Sequence, residues 1–218
     1  MNDLNNNDMN NNDYNNNDTA SNDISNNDIA DMIKILIVED DRDFAFLIRQ
    51  ELSKEQDFQC VGIATNSREA IRLSSQYLPR IVIMDLNLSI SDFDGVELSK
   101  EIRLQTGAQV IILTSLETEL SVEYAVKKAF AADYLYKSQF SILCDTVRYI
   151  ANGTTPHQLL IRKLILQDLS SAEQSVLDMI IGKNIEIKSA NKTISNQKTS
   201  ILKKLGLKNT TQLIKLFR

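Results

Sequence analysis

Glu39, Asp40, Asp85, Thr114 and Lys137 are the residues of this chain whose types and places could do chemistry together. Each stands at the carboxyl end of an apolar run. Ile33-Lys34-Ile35-Leu36-Ile37-Val38 runs into Glu39-Asp40-Asp41, and Ile81-Val82-Ile83-Met84 into Asp85. Residues 109–113 close on Thr114, and Tyr134-Leu135-Tyr136 on Lys137. Continuous apolar runs of this length read as strands buried on both faces, as in a parallel sheet. Open α/β sheets bind their ligands outside the carboxyl ends of the strands. The pattern therefore delivers three carboxylates, a hydroxyl and an ammonium to one edge. Three carboxylates at one point repel one another unless a cation sits among them, and hard oxygen donors suit Mg²⁺ or Mn²⁺. A hydroxyl and an ammonium beside them are the parts that hold the equatorial oxygens of a phosphoryl group. The chemistry this implies is phosphoryl transfer onto a carboxylate, with Asp85 as nucleophile. Singly, each residue has a plainer reading: strands often end at Asp, Thr114 is a strand-end hydroxyl, and the neighbouring Tyr134 is a core ring. As a set, the matched strand ends point to one site.

The intervening segments are helical. Phe44, Leu47, Ile48 and Leu52 recur at helical spacing over residues 43–55, with Asp43 placed to cap. After a strand at 59–65, Asn66-Ser67-Arg68-Glu69 opens a helix with a capping-box pattern, which closes before Pro79. Val96, Leu98 and Ile102 mark a third helix behind Asp94-Gly95. A fourth is expected at about 117–131 and a fifth over 140–152, stopped at Gly153, with a short strand at 134–137 between them. Alternating strands and helices of this size imply βαβ units with right-handed crossovers. The expected fold over residues 32–152 is α/β: a five-stranded, doubly wound, flavodoxin-like parallel sheet.

What lies on either side differs in kind. Residues 1–31 contain no Lys or Arg, and Asp recurs at 3, 8, 13, 18, 23 and 28 in an Asn-rich five-residue repeat. Such a segment buries too little to offset its ordering entropy and is expected to be a disordered tail. It lacks the Gly and closing Glu of a calcium loop. Residues 153–168 read as a connector with a short helix at 159–166. Residues 169–218 are basic, with nine Lys and Arg against three Asp and Glu, whereas the rest of the chain is acidic, 15 against 26. That division suggests a small all-α domain that meets a polyanion. Cys60 and Cys144 stand far apart in apolar surroundings and read as reduced core residues of a cytoplasmic protein. No run approaches a membrane span, and the polar, acidic N-terminus is unlike a signal peptide.

In the basic segment, Ser170 or Ser171 can cap a helix with Glu173 in its first turn and Val176, Leu177, Ile180 and Ile181 as its apolar face. A second amphipathic helix spans 192–206, with Ile194, Ile201, Leu202 and Leu205 inward and Ser195, Asn196, Lys198 and Thr199 outward. Short polar side chains between lysines suit a helix that enters the major groove, although an ordinary surface helix reads the same way.

These motifs resemble two known families. Residues 33–152 are similar to the receiver domains of two-component response regulators. The resemblance implies that Glu39 and Asp40 are the acidic metal pair, that Asp85 is the phosphoacceptor, and that the backbone carbonyl of Asn87 completes the Mg²⁺ shell. It makes Thr114 the hydroxyl that follows phosphorylation, Lys137 the phosphate-pairing lysine, and Tyr134 the aromatic switch that turns inward on activation. Residues 169–218 resemble the LuxR/NarL-type helix-turn-helix. That implies base-facing roles for Ser195, Asn196 and Thr199, phosphate contacts for Lys192, Lys198 and Lys203, and a last helix around Leu213 used for dimer contact. Three departures stand out. The loop after Asp85 is longer than usual and lacks the usual Pro, Lys137 is followed by Ser138 where many receivers have Pro, and the segment 183–191 is about six residues short of the usual scaffold helix.

The expectation is a cytoplasmic, non-enzymatic response regulator. A sensor histidine kinase phosphorylates Asp85, and the protein then dimerises on promoter DNA and alters transcription. The alternative is a receiver that signals through protein contacts because its helix-turn-helix is degenerate. A Mg²⁺-dependent phosphatase is the more distant rival, since neither a cap domain nor a second acid/base is visible.

Overall fold

The computed structural model describes residues 32–88, 94–116, 118–153, 155–183 and 190–217. The tail, most of the loop after Asp85 and most of the shortened segment lie outside them. In chain order the elements are β1 (Ile33–Val38), α1 (Arg42–Leu52), β2 (Phe58–Ala64), α2 (Ser67–Tyr77), β3 (Ile81–Met84), α3 (Asp94–Thr106), β4 (Gln109–Thr114), α4 (Glu119–Ala129) and β5 (Asp133–Tyr136). A 3₁₀ turn (Lys137–Ile142) leads into α5 (Leu143–Asn152), α6 (Pro156–Ile165), α7 (Ser171–Ile180), α8 (Asn191–Leu205) and α9 (Thr210–Phe217).

The five strands form one sheet in the order β2-β1-β3-β4-β5, with every pair parallel. The chain winds outward from β1 to β2, then returns past β1 to place β3 on its other side. This reversal opens the crevice in which such sheets bind ligands. Val38 pairs with Met84 across it, so the next residue of each strand, Glu39 and Asp85, meet at the crevice.

Period-two alternation divides the buried side chains between two cores. Ile35, Ile37, Ile81, Ile83, Ile111 and Leu113 face α1 and α5. Leu36, Val38, Val82, Met84, Val110 and Ile112 face the other side, where α2, α3 and α4 pack. That second core does not end with α4. Ile161, Ile165, Val176, Leu177, Ile201, Leu213 and Phe217 of the C-terminal helices belong to the same apolar cluster, and residues 32–218 pack as one compact unit. The connector is folded too: Pro156 and a Thr155–Gln158 capping box start α6, which packs against α4 and β5, while α9 packs on α3.

Several boundaries differ from those the periodicity predicts. Asp41, not Asp43, caps α1, because its Oδ1 accepts from the N–H groups of Asp43 (2.9 Å) and Phe44 (3.1 Å). The turn tightens earlier since the Asp41 N–H itself donates to Glu39 Oε1. β5 stops at Tyr136, and Lys137 already belongs to the 3₁₀ turn. The fifth helix starts at Leu143 rather than 140, because Gln139 leaves helical geometry and its side chain accepts from the Tyr136 N–H. α2 ends as expected, on Leu78 in the left-handed region ahead of Pro79.

A buried carboxylate joins α7 to α8. Glu173 takes the Ser170 N–H at 2.7 Å, the Ser200 hydroxyl at 2.6 Å and the Lys204 ammonium at 2.7 Å. The Lys204 and Ser200 bonds hold its pKa down at about 2. A carboxylate with a depressed folded pKa stabilises fully above its unfolded value and loses that contribution as pH falls toward the folded one. Glu173→Gln is therefore expected to cost about 1–2 kcal/mol at neutral pH. The deficit should shrink between about pH 4.5 and pH 2, as the wild-type carboxylate protonates. Urea unfolding followed by circular dichroism at both ends of that window checks it.

Candidate functional site

Glu39 follows β1, Asp85 follows β3 and Lys137 follows β5, so three strands bring them to the crevice without help from any loop. Glu39 and Asp85 are buried, and Asp40 is half-buried beside them. The Lys137 ammonium lies 2.9 Å from Asp85 Oδ2 and 2.8 Å from Glu39 Oε2, bridging both acids. It also sits 4.5 Å above the Phe44 ring, which in turn packs on Phe140. Burial pulls the ammonium pKa down, but its bonds to Glu39 and Asp85 more than offset this and leave it above its ordinary value. Burial pushes Glu39 up to about 7; Lys137 opposes that and the Asp85 charge adds to it. One ammonium among three carboxyls leaves the pocket short of positive charge.

Carboxylate oxygens of Glu39, Asp40 and Asp85 lie within 4.8 Å of one another, close enough to share a cation. The Asn87 N–H donates to Asp85 Oδ1 at 3.3 Å, and Asn87 Oδ1 is buried with no hydrogen-bond partner. An all-oxygen set with an unused buried oxygen fits a hard divalent ion such as Mg²⁺.

Thr114 closes β4 fully buried, and its hydroxyl has no hydrogen-bond partner. A buried unsatisfied hydroxyl costs about 1–3 kcal/mol, which an arriving acceptor oxygen would recover. Tyr134 is already turned inward, its hydroxyl donating to the Leu116 carbonyl at 2.7 Å just beyond Thr114.

Gly95 sets the backbone around Asp85. Its N–H donates to the Leu86 carbonyl at 3.1 Å, and a Cβ there would stand 2.3 Å from the Asp85 carbonyl oxygen and 2.7 Å from Leu86 Cα. Backbone cannot yield as a flexible side chain does. Gly95→Ala is expected to lower stability by about 1–3 kcal/mol, read as a fall in melting temperature.

On α8 the inward set matches the pattern: Ile201 is buried and Ile194, Leu202 and Leu205 half-buried. Lys192, Ser195, Asn196, Thr199 and Lys203 are exposed, and Lys198 is half-buried. Thr199 already donates its hydroxyl to the Ser195 carbonyl. The two ends of the helix are placed differently. Lys203 borders a cleft of about 710 Å³ whose other wall holds Lys100, Tyr124, Lys127 and Lys128 of α3 and α4. Lys100 donates to the Gly206 carbonyl at 3.2 Å, capping the carboxyl end of α8 from the α/β portion. The shortened segment before α8 lies mostly outside the described residues.

Some residues at these sites escape the sequence pattern. Phe44 reads as ordinary core, yet it supports Lys137. Arg103 shares the buried stripe of α3 with Val96 and Ser99; a charged residue at that spacing on an apolar face was the available sign.

Residues 35–148 match the family described as the response regulator receiver domain. The transcriptional regulatory protein DesR of Bacillus subtilis is 27% identical over 194 residues, covering 84% of this chain and 95% of that protein. A LuxR-family two-component response regulator from an Aurantimonas species, solved by crystallography, is 25% identical with a TM-score of 0.52, covering 63% of this chain and 97% of its own. RcsB from Salmonella enterica, in a structure bound to a promoter with a phosphomimetic, aligns over 85% of this chain and 98% of its own, with a TM-score of 0.52 and 22% identity, a likeness of fold.

Proposed function

The chain belongs to the response regulator receiver family, and from that membership we propose that it is a phosphorylation-controlled transcriptional regulator of the LuxR/NarL type. The observation that carries the proposal is the Glu39–Lys137–Asp85 cluster beside the orphaned Thr114 hydroxyl. Asp85 attacks the phosphorus of a phosphohistidine on a sensor kinase, the P–N bond breaks, and an acyl phosphate forms. The only histidine of the chain, His157, lies on α6 with its Nδ1 2.8 Å from Asp133, so the donor is another protein. Glu39, Asp40, Asp85 and the Asn87 carbonyl would hold Mg²⁺, which supplies positive charge to the transferring phosphoryl group. Lys137 exchanges its bond to Asp85 for one to a phosphoryl oxygen. Thr114 donates its hydroxyl to another, drawing in the turn that Tyr134 holds through Leu116.

This rearrangement lies beside the α3–α4 face against which the C-terminal helices pack. Loosening that face frees the carboxyl end of α8, so that Ser195, Asn196 and Thr199 meet bases while Lys192, Lys198 and Lys203 meet phosphates of promoter DNA. α9 then contacts a second copy. Among the described residues no helix is long and apolar enough to cross a membrane.

Selection of genomic fragments by protein treated with acetyl phosphate and Mg²⁺, followed by gel retardation, tests the proposal. The expected result is retardation that weakens steeply between about 50 and 200 mM salt. The short segment 183–191 favours a second reading, in which output is by protein contact alone. Absence of retardation at low salt, with protein shown to be phosphorylated, decides for that reading.

A further inference from the structure

A cavity of about 290 Å³ lies between α3, the α4–β5 turn, the end of α5, α6 and α9, and none of the residues of the Asp85 pocket lines it. Two guanidinium groups line it, Arg103 from the receiver and Arg162 from the connector helix. Arg103 is 5% exposed. It donates to the Phe130 carbonyl and, at 3.4 Å, to the Leu216 carbonyl, but among the described residues no carboxylate pairs with it and its Nε has no hydrogen-bond partner. Arg162 donates to the Phe217 carbonyl at 3.1 Å and lies over the Phe217 ring. Its Nη2 is buried and unbonded, with Asp178 only at 3.8 Å and that carboxylate held more closely by Lys183 at 2.9 Å. Burial with no anion to oppose it lowers the Arg103 pKa to about 10.

Isolated buried charge is costly, and proteins normally pair it. Here two guanidinium groups line one cavity, Arg162 with only a long ion pair to Asp178, and carbonyl oxygens fill only part of their hydrogen-bonding capacity. One part of the remaining wall is apolar, where Phe130 and Phe217 meet edge-to-face at 6.1 Å, flanked by Ile150, Ile161 and Ile165, while Gln109 and Gln158 also line the cavity. A guanidinium fork matches a carboxylate, and aromatic and branched walls match an apolar body. We propose that this cavity binds a small organic carboxylate with an apolar body, its head between Arg103 and Arg162 and its body against Phe130 and Phe217. The walls come from both halves of the chain, so the bound acid joins the receiver to the C-terminal helices. It stabilises their association by mass action, independently of phosphate at Asp85.

Titration calorimetry of the full chain with benzoate and with 3-methylbutanoate tests this, with chloride and inorganic phosphate as comparators. Saturable binding of at least one acid is expected, with a rise in melting temperature and no saturable response to chloride or phosphate. Arg103→Met should weaken binding by about tenfold or more, the usual value of a charge-assisted contact. Arg162→Gln, on a partly exposed helix, should weaken it similarly and gives an answer even if Arg103→Met does not fold. Three outcomes overturn the proposal: neither acid saturates, phosphate binds as well as the acids, or folded variants bind as the wild type does.

Discussion

Asp85→Asn is expected to remain folded and to take up no phosphoryl group from acetyl phosphate, so that intact-mass analysis detects only unmodified protein. The amide nearly matches the carboxylate in shape, and the strand beneath it, Ile81–Met84, is fully buried and unchanged. What disappears is the nucleophilic oxygen pair. Lys137 keeps its bond to Glu39, so the ammonium is not stranded in a half-buried site. Removal of one negative charge also eases the repulsion that helps raise the Glu39 pKa. Melting temperature should therefore stay close to that of the wild type, which separates lost chemistry from lost fold. Labelling that survived in Asp85→Asn would move the acceptor elsewhere and end the present assignment.

Lys137→Ala should leave the acceptor in place and cripple its use. The ammonium is the positive charge this chain itself supplies between Glu39 and Asp85. Without it, two buried carboxyls face each other, and the cheaper response is for one to take a proton. Loss of a preorganised charge aimed at a developing phosphoryl transition state typically costs about 10²–10³ in rate. The labelling rate should fall within that range while the final modified residue remains Asp85. Lys137→Arg should rescue it poorly, because a planar guanidinium cannot occupy the compact position above the Phe44 ring while bonding both acids. A rate within a factor of about three of the wild type for Lys137→Ala, smaller than one ordinary charge-assisted contact, would refute the role given to this lysine.

The sheet and its edge were legible because their physics is local. A strand buried on both faces must be apolar throughout, so Ile81–Met84 announces itself, and the residue that ends it announces the site. The acids, Thr114 and Lys137 follow from strand ends and chain order alone. Side-chain caps compete over one or two residues and are harder to read. Asp41 and Asp43 both suit the start of α1, and the choice was made by a bond from the Asp41 N–H to Glu39, which composition cannot reveal. The 3₁₀ turn after β5 is hidden for the same reason, since it depends on one Gln139 side chain. Least legible was the junction between the receiver and the C-terminal helices. Its apolar residues have ordinary amphipathic spacing, and nothing in that spacing says that Phe130 meets Phe217 or that Arg103 reaches Leu216.

The apolar cluster that passes from β1, β3 and β4 through α4 into α7, α8 and α9 also governs how the molecule comes apart. Two segments that share a core cannot denature independently, because either one, unfolding first, would leave the other's inner surface in water. Calorimetry should accordingly record a single endotherm, with van't Hoff and calorimetric enthalpies in agreement, rather than one peak for each segment. A fragment truncated after residue 152 would uncover Phe130, which Phe217 covers in the whole chain, and should self-associate at concentrations where the whole chain stays monodisperse.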